Sequence, residues 1–553
     1  MKTKYFLVLI LTALLSAMLL YGFYTVEVKA PDGVDQPLSK IYEIKMLWNN
    51  SMSVYDVAVS KDGNYIAAVN ETGLYYFEWN ISTPKWWYPA TTTTLMSVAI
   101  SADGEYVVTG SNDGYLRYFN NSRATTGERL TPTWTSMWLL GPVERGTLDM
   151  SDDGEYIVGG GTGPNVWYYA GCTSRYGEDE HYTWGNWLPV NDIRAVDMSP
   201  DGKYVAVGGE NRSDLHNGFV AFYEDANTAS GYYDPIWIAH SALNYSGCYV
   251  VDIEVSDDGY AVAAVTNYAT TLHYWANATN LTGDPEPSWN HYESFVCVDI
   301  SSDSNEVIAG SDDLYHGGLY FWSNARTLSG WISEDWHSLN SQIFDVAISD
   351  DGELICAAAR LGVASEYKAY FLKGNGEVIE EFDLLQLSPL VSMSGNGIIT
   401  AVAGPGYDSL YVFQTLVDIT PPLIENVHQQ PANDSVYPED EVMVYANVTD
   451  DLSGVKQVTL NYTYTNATGT WNGTVIMDNL EGNLYNGTIP ALPYCTNVTY
   501  IIIAEDNFNN TITTQDLGQE YKYHVIPEFS LQLIFPILAA STMFAILIRK
   551  RKR

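Results

Sequence analysis

One short pattern recurs along most of the chain, and it limits the possible folds more than any other feature. Each copy consists of a β-branched run, Ser-x-Asp-Gly or a close variant, and a second β-branched run. Asp-Gly between two alternating apolar runs favours a tight β-hairpin, because these residues tolerate a positive φ. The copies begin at Val57, Val98, Leu148, Val196, Ile253, Val298, Val346 and Val391. The pattern therefore predicts eight β-hairpins.

Two further strands follow most of the hairpins. An aromatic segment such as Leu74–Trp79 comes first, and a segment usually marked by Trp, such as Lys85–Tyr88, comes second. Seven segments of the second kind follow the eight hairpins, and Tyr42–Trp48 stands before the first hairpin in the same relation to it. Successive copies start about 41 to 57 residues apart, the length of one four-stranded β-propeller blade. We therefore predict an all-β fold with an eight-bladed β-propeller over residues 31–417, closed by the N-terminal strand, and a seven-bladed propeller as the alternative.

The repeats resemble those of WD-repeat-like and quinoprotein-like β-propellers. Ser-x-Asp-Gly-x-Tyr-Val is the shared feature, and the resemblance covers roughly residues 40–416. The Gly-His and Trp-Asp dipeptides of true WD repeats are absent from this sequence. The resemblance therefore implies the propeller architecture rather than membership of the WD family.

A change of pattern at Asp418–Pro422 marks a domain boundary. The Pro pair there ends the repeats, and short alternating runs rich in Thr, Asn and Val follow. Such runs, separated by turn residues, predict a β-sandwich over residues 418–525. The stretch contains the motifs Thr420-Pro-Pro-x-Ile424, Asp451-x-Ser-Gly-Val455 and Tyr500-x-Ile-x-Ala-x-Asp506. On these motifs it resembles the immunoglobulin-like modules of prokaryotic surface proteins.

Apolar segments with basic flanks stand at both ends of the chain. Lys2 and Lys4 precede a long apolar run, so residues 1–30 are predicted to be a secretory signal peptide, with an uncleaved N-terminal anchor as the alternative. Residues 531–548 are apolar and about 27 Å long as a helix, and the basic tail 549–553 follows them. We predict a C-terminal transmembrane helix with a cytoplasmic tail, and a buried core helix is the alternative.

A Val-Ile-Pro-Glu-Phe-Ser motif stands directly before this apolar segment. The order of motif, apolar segment and basic tail resembles the PEF-type sorting signal of archaeal surface proteins. The resemblance implies processing by an archaeosortase and replacement of the helix by a lipid, whereas a plain transmembrane anchor is the alternative. The residues that mark the processing region, within 526–530, are Pro527, Glu528 and Phe529. In either case, residues 31–530 are expected outside the cytoplasm, on the extracellular face of the cell membrane.

The chain is strongly acidic, with 26 Lys and Arg against 67 Asp and Glu and a formal net charge of −41. Nucleic acid is itself a polyanion and is therefore not expected as a partner. Sixteen Asn-x-Ser/Thr sequons fit an extracellular location, and we expect some but not all to be glycosylated. Their asparagines are Asn49, Asn70, Asn80, Asn120, Asn211, Asn244, Asn277, Asn280, Asn433, Asn447, Asn461, Asn466, Asn472, Asn486, Asn497 and Asn509.

Motifs for catalysis are absent from the sequence. The five cysteines are scattered without Cys-x-x-Cys, and the nine histidines form no His-Glu-x-x-His or comparable metal pair. No Gly-x-Ser-x-Gly elbow and no P-loop is present. We therefore assign no catalytic residue and no cofactor-binding residue. An active site assembled on the propeller axis from separate repeats would be invisible in a single sequence.

Paired acidic residues recur in the turns and make calcium, which takes roughly six to eight oxygen ligands, the candidate cofactor. Most of these pairs fit solvated hairpin turns. The best-placed candidate ligands are Asp450, Asp451 and Asp506, because both stretches can lie at one end of the sandwich. The Trp and Tyr residues recur at one strand position, which favours packing between repeats over stacking on sugars.

These features favour a non-enzymatic surface protein, in which the propeller displays a binding face and the immunoglobulin-like domain is a membrane-anchored stalk. The expected partners are other surface proteins or extracellular glycans, and the membrane is contacted through the C-terminus. The alternative is an extracellular propeller enzyme, either a quinoprotein-like oxidoreductase or a polysaccharide-degrading enzyme. Fold does not decide between them, because propellers host both kinds of function. The negative charge predicts stabilisation by salt or divalent cations.

Overall fold

The computed structural model describes residues 42–526, apart from short gaps, together with residues 539–540 and 542–543. The gaps are 140, 189–191, 212–216, 241–242, 244–247, 268–270, 314–316, 362–365, 386–388, 405–409 and 451–452. The predicted signal peptide, nearly all of the predicted transmembrane segment and the basic tail lie outside the described residues. In the part of the chain that is described, no helix has the length and apolar character needed to cross a membrane.

The chain divides into two compact units. Tyr42–Val417 forms one, and the described residues from Asp418 onward belong to the other. In the first unit, the described strands form eight sheets, numbered here along the chain. Four of the sheets carry a fifth, parallel strand, which comes from the segment after the third strand of the next sheet.

The first four sheets run from residue 56 to residue 239. Sheet 1 contains β2 Asp56–Val59, β3 Tyr65–Val69, β4 Gly73–Glu78, β5 Trp86–Pro89 and β9 Gly127–Glu128. Sheet 2 contains β6 Leu95–Ile100, β7 Val107–Ser111, β8 Leu116–Phe119, β10 Trp134–Ser136 and β14 Gly177–Glu180. Sheet 3 contains β11 Leu148–Met150, β12 Tyr156–Gly159, β13 Asn165–Ala170, β15 Trp184–Trp187 and β19 Gly231–Tyr232. Sheet 4 contains β16 Asp192–Met198, β17 Val205–Asn211, β18 Asn217–Tyr223 and β20 Trp237–Ala239.

The other four sheets complete the unit. Sheet 5 contains β21 Val250–Val255, β22 Ala261–Thr266, β23 Thr271–Ala276, β24 Trp289–Tyr292 and β28 Gly330–Trp331. Sheet 6 contains β25 Phe295–Ile300, β26 Val307–Ser311, β27 Leu319–Trp322 and β29 Trp336–Ser338. Sheet 7 contains β30 Gln342–Ile348, β31 Leu354–Leu361, β32 Glu366–Lys373 and β33 Val378–Leu384. Sheet 8 contains β34 Leu390–Met393, β35 Ile399–Ala403, β36 Leu410–Val417 and β1 Tyr42–Asn50.

Contacts between first strands close the sheets into a ring. The first strand of each sheet contacts the first strand of the next, and β34 of sheet 8 contacts β2 of sheet 1. Short 3-10 helices follow the third strands of sheets 3 to 6, at Cys172–Ser174, Ala226–Thr228, Ala278–Asn280 and Ala325–Thr327. Sheets that radiate from a ring of innermost strands define a β-propeller. The predicted all-β propeller architecture is therefore confirmed.

The Ser-x-Asp-Gly pattern forms the turn between the first two strands of a sheet. In sheet 4, Ser199 Oγ donates a hydrogen bond to Asp201 Oδ1 (2.8 Å) and accepts one from Tyr204 N (2.9 Å). Asp201 Oδ1 also accepts a hydrogen bond from Lys203 N (3.0 Å). Gly202 has a φ of +70°, a left-handed conformation that glycine adopts without strain. The turn therefore uses a hydroxyl, a side-chain oxygen acceptor and a residue that tolerates a positive φ, and in sheet 8 the acceptor is Asn396 Oδ1.

Strand β1 completes sheet 8 and joins the two ends of the propeller. It pairs antiparallel with β36, from Tyr42 opposite Val417 to Asn50 opposite Leu410. This pairing covers the edge that β36 would otherwise expose, and exposed edges invite association with other strands. The N-terminal strand thus occupies the place that the count of Trp-marked segments predicts for it.

Aromatic side chains of the fourth strands pack between neighbouring sheets. The Trp184 indole is fully buried, and its ring centroid lies 5.2 Å from that of Tyr223 on β18 of the next sheet. Its Nε1 donates a hydrogen bond to Ala226 O, in the segment after β18 of the next sheet (2.8 Å). Equivalent bonds to the following repeat are made by Trp86, Trp134, Trp237, Trp289 and Trp336. These contacts confirm the prediction that the aromatic stripes pack between repeats.

The described residues from Asp418 to Ile526 form two antiparallel sheets. One contains β37 Leu423–Gln430, β38 Val442–Thr449, β41 Asp478–Glu481 and β42 Leu484–Ile489. The other contains β39 Val455–Asn466, β40 Gly469–Ile476, β43 Asn497–Asp506, β44 Thr511–Thr513 and β45 Tyr521–His524. Fully buried Val444 from the first sheet and Leu460, Val498 and Ile502 from the second share one apolar core. This unit is therefore a β-sandwich.

Candidate functional site

The first strands of the propeller sheets surround an axial channel. It contains a cavity of about 290 Å³, and residues from all eight sheets line it. Two positions of the repeat supply its acidic lining: the residue two before the turn serine and the residue directly after that serine. Carboxylates at the first position are Asp149, Asp197, Glu254 and Asp299, and those at the second are Asp152, Asp257 and Asp350. The described lining is therefore strongly acidic.

Six carboxylates on the first strands are hydrogen-bonded to the backbone of the neighbouring sheet, and three of them, Asp149, Asp197 and Asp299, line the channel. Asp299 Oδ2 accepts a hydrogen bond from Ile348 N (2.8 Å). The same kind of bond joins Asp56 to Val98, Asp149 to Met198, Asp197 to Val255, Asp252 to Val298 and Asp345 to Val391. A buried N–H group on the inner edge of a sheet is costly unless an acceptor is provided. Each of these carboxylates therefore satisfies the inner edge of the next sheet and links two sheets.

Four of the acids, one on each of sheets 3 to 6, form a continuous row around the channel. Burial raises the pKa of Asp149 to about 6 and the pKa of Asp299 to about 7. Burial, together with repulsion from neighbouring acids, raises the pKa of Asp197 and of Glu254 well above the usual range of a carboxyl. The Glu254 carboxyl also hydrogen-bonds to that of Asp197. Burial therefore favours the protonated form of each carboxyl in this acidic row more than water would.

Two basic side chains balance other acids of the channel. Lys61 Nζ lies 3.4 to 3.7 Å from the carboxylates of Asp152, Asp257 and Asp350. Burial lowers the pKa of Lys61, but these carboxylates outweigh it and leave that pKa above its ordinary value. Arg145 Nη2 lies 2.9 Å from Asp345 Oδ2. Among the described residues, no basic side chain forms an ion pair with the acidic row.

The chemistry open to the channel follows from these groups. Its described lining contains carboxyls, hydroxyls and Lys61 but no histidine and no cysteine, so it offers no pair of nucleophile and imidazole base. Three of its seven carboxyls, those of Asp149, Asp197 and Asp299, are held by backbone N–H groups of the next sheet. Glu254 is the member of the acidic row to which no described backbone group donates. Sequence analysis did not identify the acidic row, because alternating Asp in a strand has the same pattern as a solvated strand face.

Three acids of the sandwich lie together at one end of its strands. Carboxylate oxygens of Asp418, Asp450 and Asp506 all lie within 4.8 Å of one another. Two of the candidate calcium ligands from the sequence are thus brought together, whereas Asp451 lies outside the described residues. Asp418 was missed because it belongs to the domain boundary, far from the other two in sequence. The available signal was its place directly before the Ile-Thr-Pro-Pro segment.

Backbone N–H groups and side chains of the nearby loops engage these carboxylates. Asp506 Oδ1 accepts hydrogen bonds from Phe508 N and Asn510 N, both at 2.8 Å. Asp418 Oδ2 accepts one from Ser453 N (3.1 Å). Burial raises the pKa of Asp418, but the hydrogen bonds from Ser453 and Thr420 outweigh this effect and leave the pKa below its usual value. The cluster therefore stabilises loops of the sandwich, and calcium binding there stays a prediction.

The other predicted site residues differ in whether the structure describes them and in how exposed they are. Pro527, Glu528, Phe529 and Asn244 lie outside the described residues, as does the side chain of Asn211. Asn70 is buried, with 5% of its surface exposed. The half-buried sequon asparagines are Asn120, Asn447, Asn461, Asn466 and Asn486. The exposed ones are Asn49, Asn80, Asn277, Asn280, Asn433, Asn472, Asn497 and Asn509.

Comparison with known proteins bears on the propeller unit. Residues 83–120 match the family model of the WD domain, G-beta repeat, which places the match across sheets 1 and 2. No curated protein matches the sequence. Among solved structures, the C-terminal WD40 domain of Sif2 is similar, with 14% identity and a TM-score of 0.48 over 68% of this chain and 99% of that one.

Two further solved structures are similar to the chain. BamB from Moraxella catarrhalis has 12% identity and a TM-score of 0.47 over 67% of this chain and 100% of that one. The WD40 β-propeller domain of Doa1 has 12% identity and a TM-score of 0.41 over 68% of this chain and 96% of that one.

Proposed function

We propose that the chain is a non-enzymatic binding or structural protein of the cell surface. In this proposal an eight-bladed propeller displays the binding face, and an immunoglobulin-like domain connects it to a C-terminal anchor. The observation that carries the proposal is the use of the acidic row. Because three of its four carboxylates accept backbone hydrogen bonds from the next sheet, these residues maintain the architecture instead of forming a catalytic centre. Propellers of this kind serve widely as scaffolds for partner proteins.

Two structural features support the domain assignments in this proposal. The eight described sheets and the closing pair of β1 with β36 fit eight blades. The two-sheet sandwich, with Asp418 and Asp506 hydrogen-bonded to the loops at one end, fits the motifs that carry the immunoglobulin-like resemblance. Both assignments are testable by an experimental structure of residues 31–525.

Surface location rests on the ends of the sequence. The apolar run in residues 1–30 fits export, and the order of Pro-Glu-Phe motif, apolar segment and basic tail fits anchoring with archaeosortase processing. We expect protease added to intact cells to digest the protein. A truncated variant that ends at Ile526 lacks the anchor, so we expect it to appear in the medium. Replacing Pro527, Glu528 and Phe529 with alanine distinguishes archaeosortase processing from a plain transmembrane anchor, because only archaeosortase processing requires the motif. A protein that resists protease on intact cells would refute the surface location.

The binding role is tested by purifying residues 31–525 and measuring its affinity for surface proteins and for extracellular glycans. We expect either the surface proteins or the glycans to bind reversibly and to be released chemically unchanged. Substitutions on the outer strands should weaken binding, whereas substitution of the channel acids should act only through stability. Turnover of a bound glycan or oxidation of a bound substrate would overturn the proposal.

The acidic row favours one alternative, an extracellular polysaccharide-degrading enzyme. Carboxyls with a raised pKa beside a cavity can act as general acids, and Glu254 is the member of the row without a described backbone donor. Glu254→Gln would then abolish polysaccharide hydrolysis and leave folding intact. Absence of any hydrolysis by the unaltered protein over a panel of polysaccharides would remove this alternative.

A further inference from the structure

Five of the sequons in the sandwich lie within strands, and the strand geometry decides where they point. Side chains alternate between the two faces of a strand, so the Asn and the Thr of Asn-x-Thr share one face and the middle residue takes the other. The middle residues Val448 and Val498 are fully buried or nearly so in the core. The five strand-borne sequons are Asn447–Thr449, Asn461–Thr463, Asn472–Thr474, Asn486–Thr488 and Asn497–Thr499. Each therefore directs its Asn and Thr away from the core.

Two of these asparagines share the outer face of one sheet. On neighbouring strands of the order β40-β39-β43, Asn472 lies opposite Thr463 and Asn497 lies opposite Thr465. Thr463 and Thr465 are two residues apart on β39 and thus on the same face. Asn472 and Asn497 are both exposed. Modification of both would place two substituents side by side on this sheet.

Hydrogen bonds hold both carboxamides by their oxygen atoms. Asn472 Oδ1 accepts a hydrogen bond from Thr463 Oγ1 (2.8 Å), and Asn497 Oδ1 lies 2.8 Å from His524 Nδ1. Among the described residues, no hydrogen bond uses the Nδ2 atom of either side chain. Because Nδ2 is the atom to which an N-linked sugar is joined, the reactive atom of each side chain is accessible.

A polar groove of about 380 Å³ lies beside Asn472. Its lining includes Asn461, Thr474, Thr499 and Glu520. Asn461 Oδ1 is buried there and has no hydrogen-bond partner among the described residues. A buried acceptor without a partner is costly, and a sugar hydroxyl is a donor of the right size to satisfy it. The groove thus fits the first sugar of a chain attached to Asn472.

Asn70 belongs to a sequon whose carboxamide is not accessible for glycosylation. Its side chain is 5% exposed, and Nδ2 donates a hydrogen bond to Ser53 O (2.9 Å). Its Oδ1 accepts hydrogen bonds from Thr72 N (2.7 Å) and Gly73 N (3.0 Å). Both ends of this carboxamide are therefore committed to the propeller fold.

We propose that Asn472 and Asn497 carry N-linked glycans on the outer face of the sandwich, and that Asn70 does not. The donor is a lipid-linked sugar diphosphate. Nδ2 forms a bond to the anomeric carbon of the sugar, the bond from that carbon to the diphosphate oxygen breaks, and Nδ2 loses one proton. The lipid diphosphate leaves with the bonding electrons. The inference rests on the proposed surface function, because this donor and its transferase act on exported chains.

The test uses the full chain recovered from the cells that produce it. Mass spectrometry of its peptides should show a glycan on most copies of Asn472 and of Asn497 and none on Asn70. The variants Asn472→Gln and Asn497→Gln should each remove one glycan mass and increase gel mobility. Thr474→Val should remove the glycan from Asn472, whereas Thr474→Ser, which keeps the sequon, should retain it. This matched pair separates loss of the sequon from an altered strand.

Cell location is measured on the same samples by protease treatment of intact cells. Exported chains with Asn472 and Asn497 unmodified would overturn the glycan proposal and leave the proposed function standing. Exported chains with Asn70 modified as fully as Asn472 would also overturn it, since exposure in the fold would then not select the site. Chains retained inside the cell would overturn the proposed function and the glycan proposal with it.

Discussion

Single carboxylates link neighbouring sheets of the propeller through hydrogen bonds. Asp299 illustrates the arrangement: Oδ2 accepts the backbone N–H of Ile348 on the next sheet, and surrounding protein raises the pKa of its carboxyl to about 7. A neutral carboxyl keeps the acceptor oxygen that this bond requires and avoids placing a charge among other acids. The protonation state of the acidic row therefore affects stability without contact from any ligand.

We predict that the propeller loses stability as pH rises from about 4 to about 7. The raised pKa values mean that the folded state binds more protons than the unfolded state in this window, so removing protons favours unfolding. Asp299→Asn cannot ionise and keeps one acceptor oxygen for Ile348 N, so it should flatten this dependence, and the loss of the second acceptor, for Ile300 N, should lower stability by a similar amount at every pH. Thermal unfolding at several pH values measures the slope. Asp383→Asn, at an acid whose side chain is 86% exposed, is the control and should leave the slope unchanged.

The two tryptophans of β15 provide a second, independent test. Trp184 is fully buried and donates a hydrogen bond to the next repeat, whereas Trp187 is 66% exposed. We expect Trp184→Phe to lower the free energy of unfolding by about 2–3 kcal/mol, through lost volume and an unsatisfied carbonyl. Trp187→Phe should change it by less than about 0.5 kcal/mol. Urea denaturation measures both, and equal losses would contradict the packing role assigned to the buried stripe.

Glycines of the propeller with a positive φ differ in how much space surrounds them. At Gly202, in a hairpin turn, a Cβ atom would lie 2.6 Å from the Tyr156 ring, whereas at Gly231, at the start of β19 and with a φ of +76°, it would meet nothing within 4 Å. In sheet 6 the turn position is held by Ser304 with a φ of +56°. A residue with a side chain therefore occupies this turn position in sheet 6.

We predict that Gly202→Ala destabilises the propeller more than Gly231→Ala. Both substitutions force alanine into a left-handed conformation, which costs on the order of 1 kcal/mol. Only Gly202→Ala adds a clash with Tyr156. The difference between the two unfolding free energies therefore isolates the steric contribution of the tight turn. A difference of zero would mean that the ring moves aside at no cost.

Strand β1 should be essential for a monomeric propeller. A chain that begins at Ser51 lacks it and exposes the edge of β36, so we expect association of such chains on a sizing column. A chain that begins at Ile41 keeps β1 and should stay monomeric. A synthetic peptide with the sequence Tyr42–Asn50 should restore the monomer by adding a strand to β36. A monomeric and equally stable chain from Ser51 would contradict the closing role of β1.

The sequence predicted the elements that depend on the residues nearby in the chain. The hairpins and the aromatic strands follow from Asp-Gly turns and from β-branched and aromatic runs. The parallel fifth strands were not anticipated, because β19 and β28 consist of two residues each and are defined only by contact with another repeat. The proximity of Asp418 to Asp450 and Asp506 likewise depends on the tertiary fold. Contacts between distant segments leave no periodic signal.

The whole molecule carries a formal net charge of −41, so its acids repel one another when salt is low. We predict that NaCl, MgCl₂ and CaCl₂ each raise the thermal midpoint, with the divalent cations effective at lower concentration because they screen more strongly. Scanning calorimetry over a salt series measures the effect. Midpoints that do not change with any of the three salts would contradict it.

The neighbouring positions of Tyr42 and Val417 also determine how the propeller responds to mechanical load. A force applied across these two residues pulls apart the paired ends of β1 and β36, so it breaks their hydrogen bonds one after another. Such unzipping needs far less force than sliding two strands along each other, which breaks many bonds at once. A propeller tethered at both ends would therefore open at this seam under tension. A propeller tethered only at its C-terminal side transmits no tension through the seam.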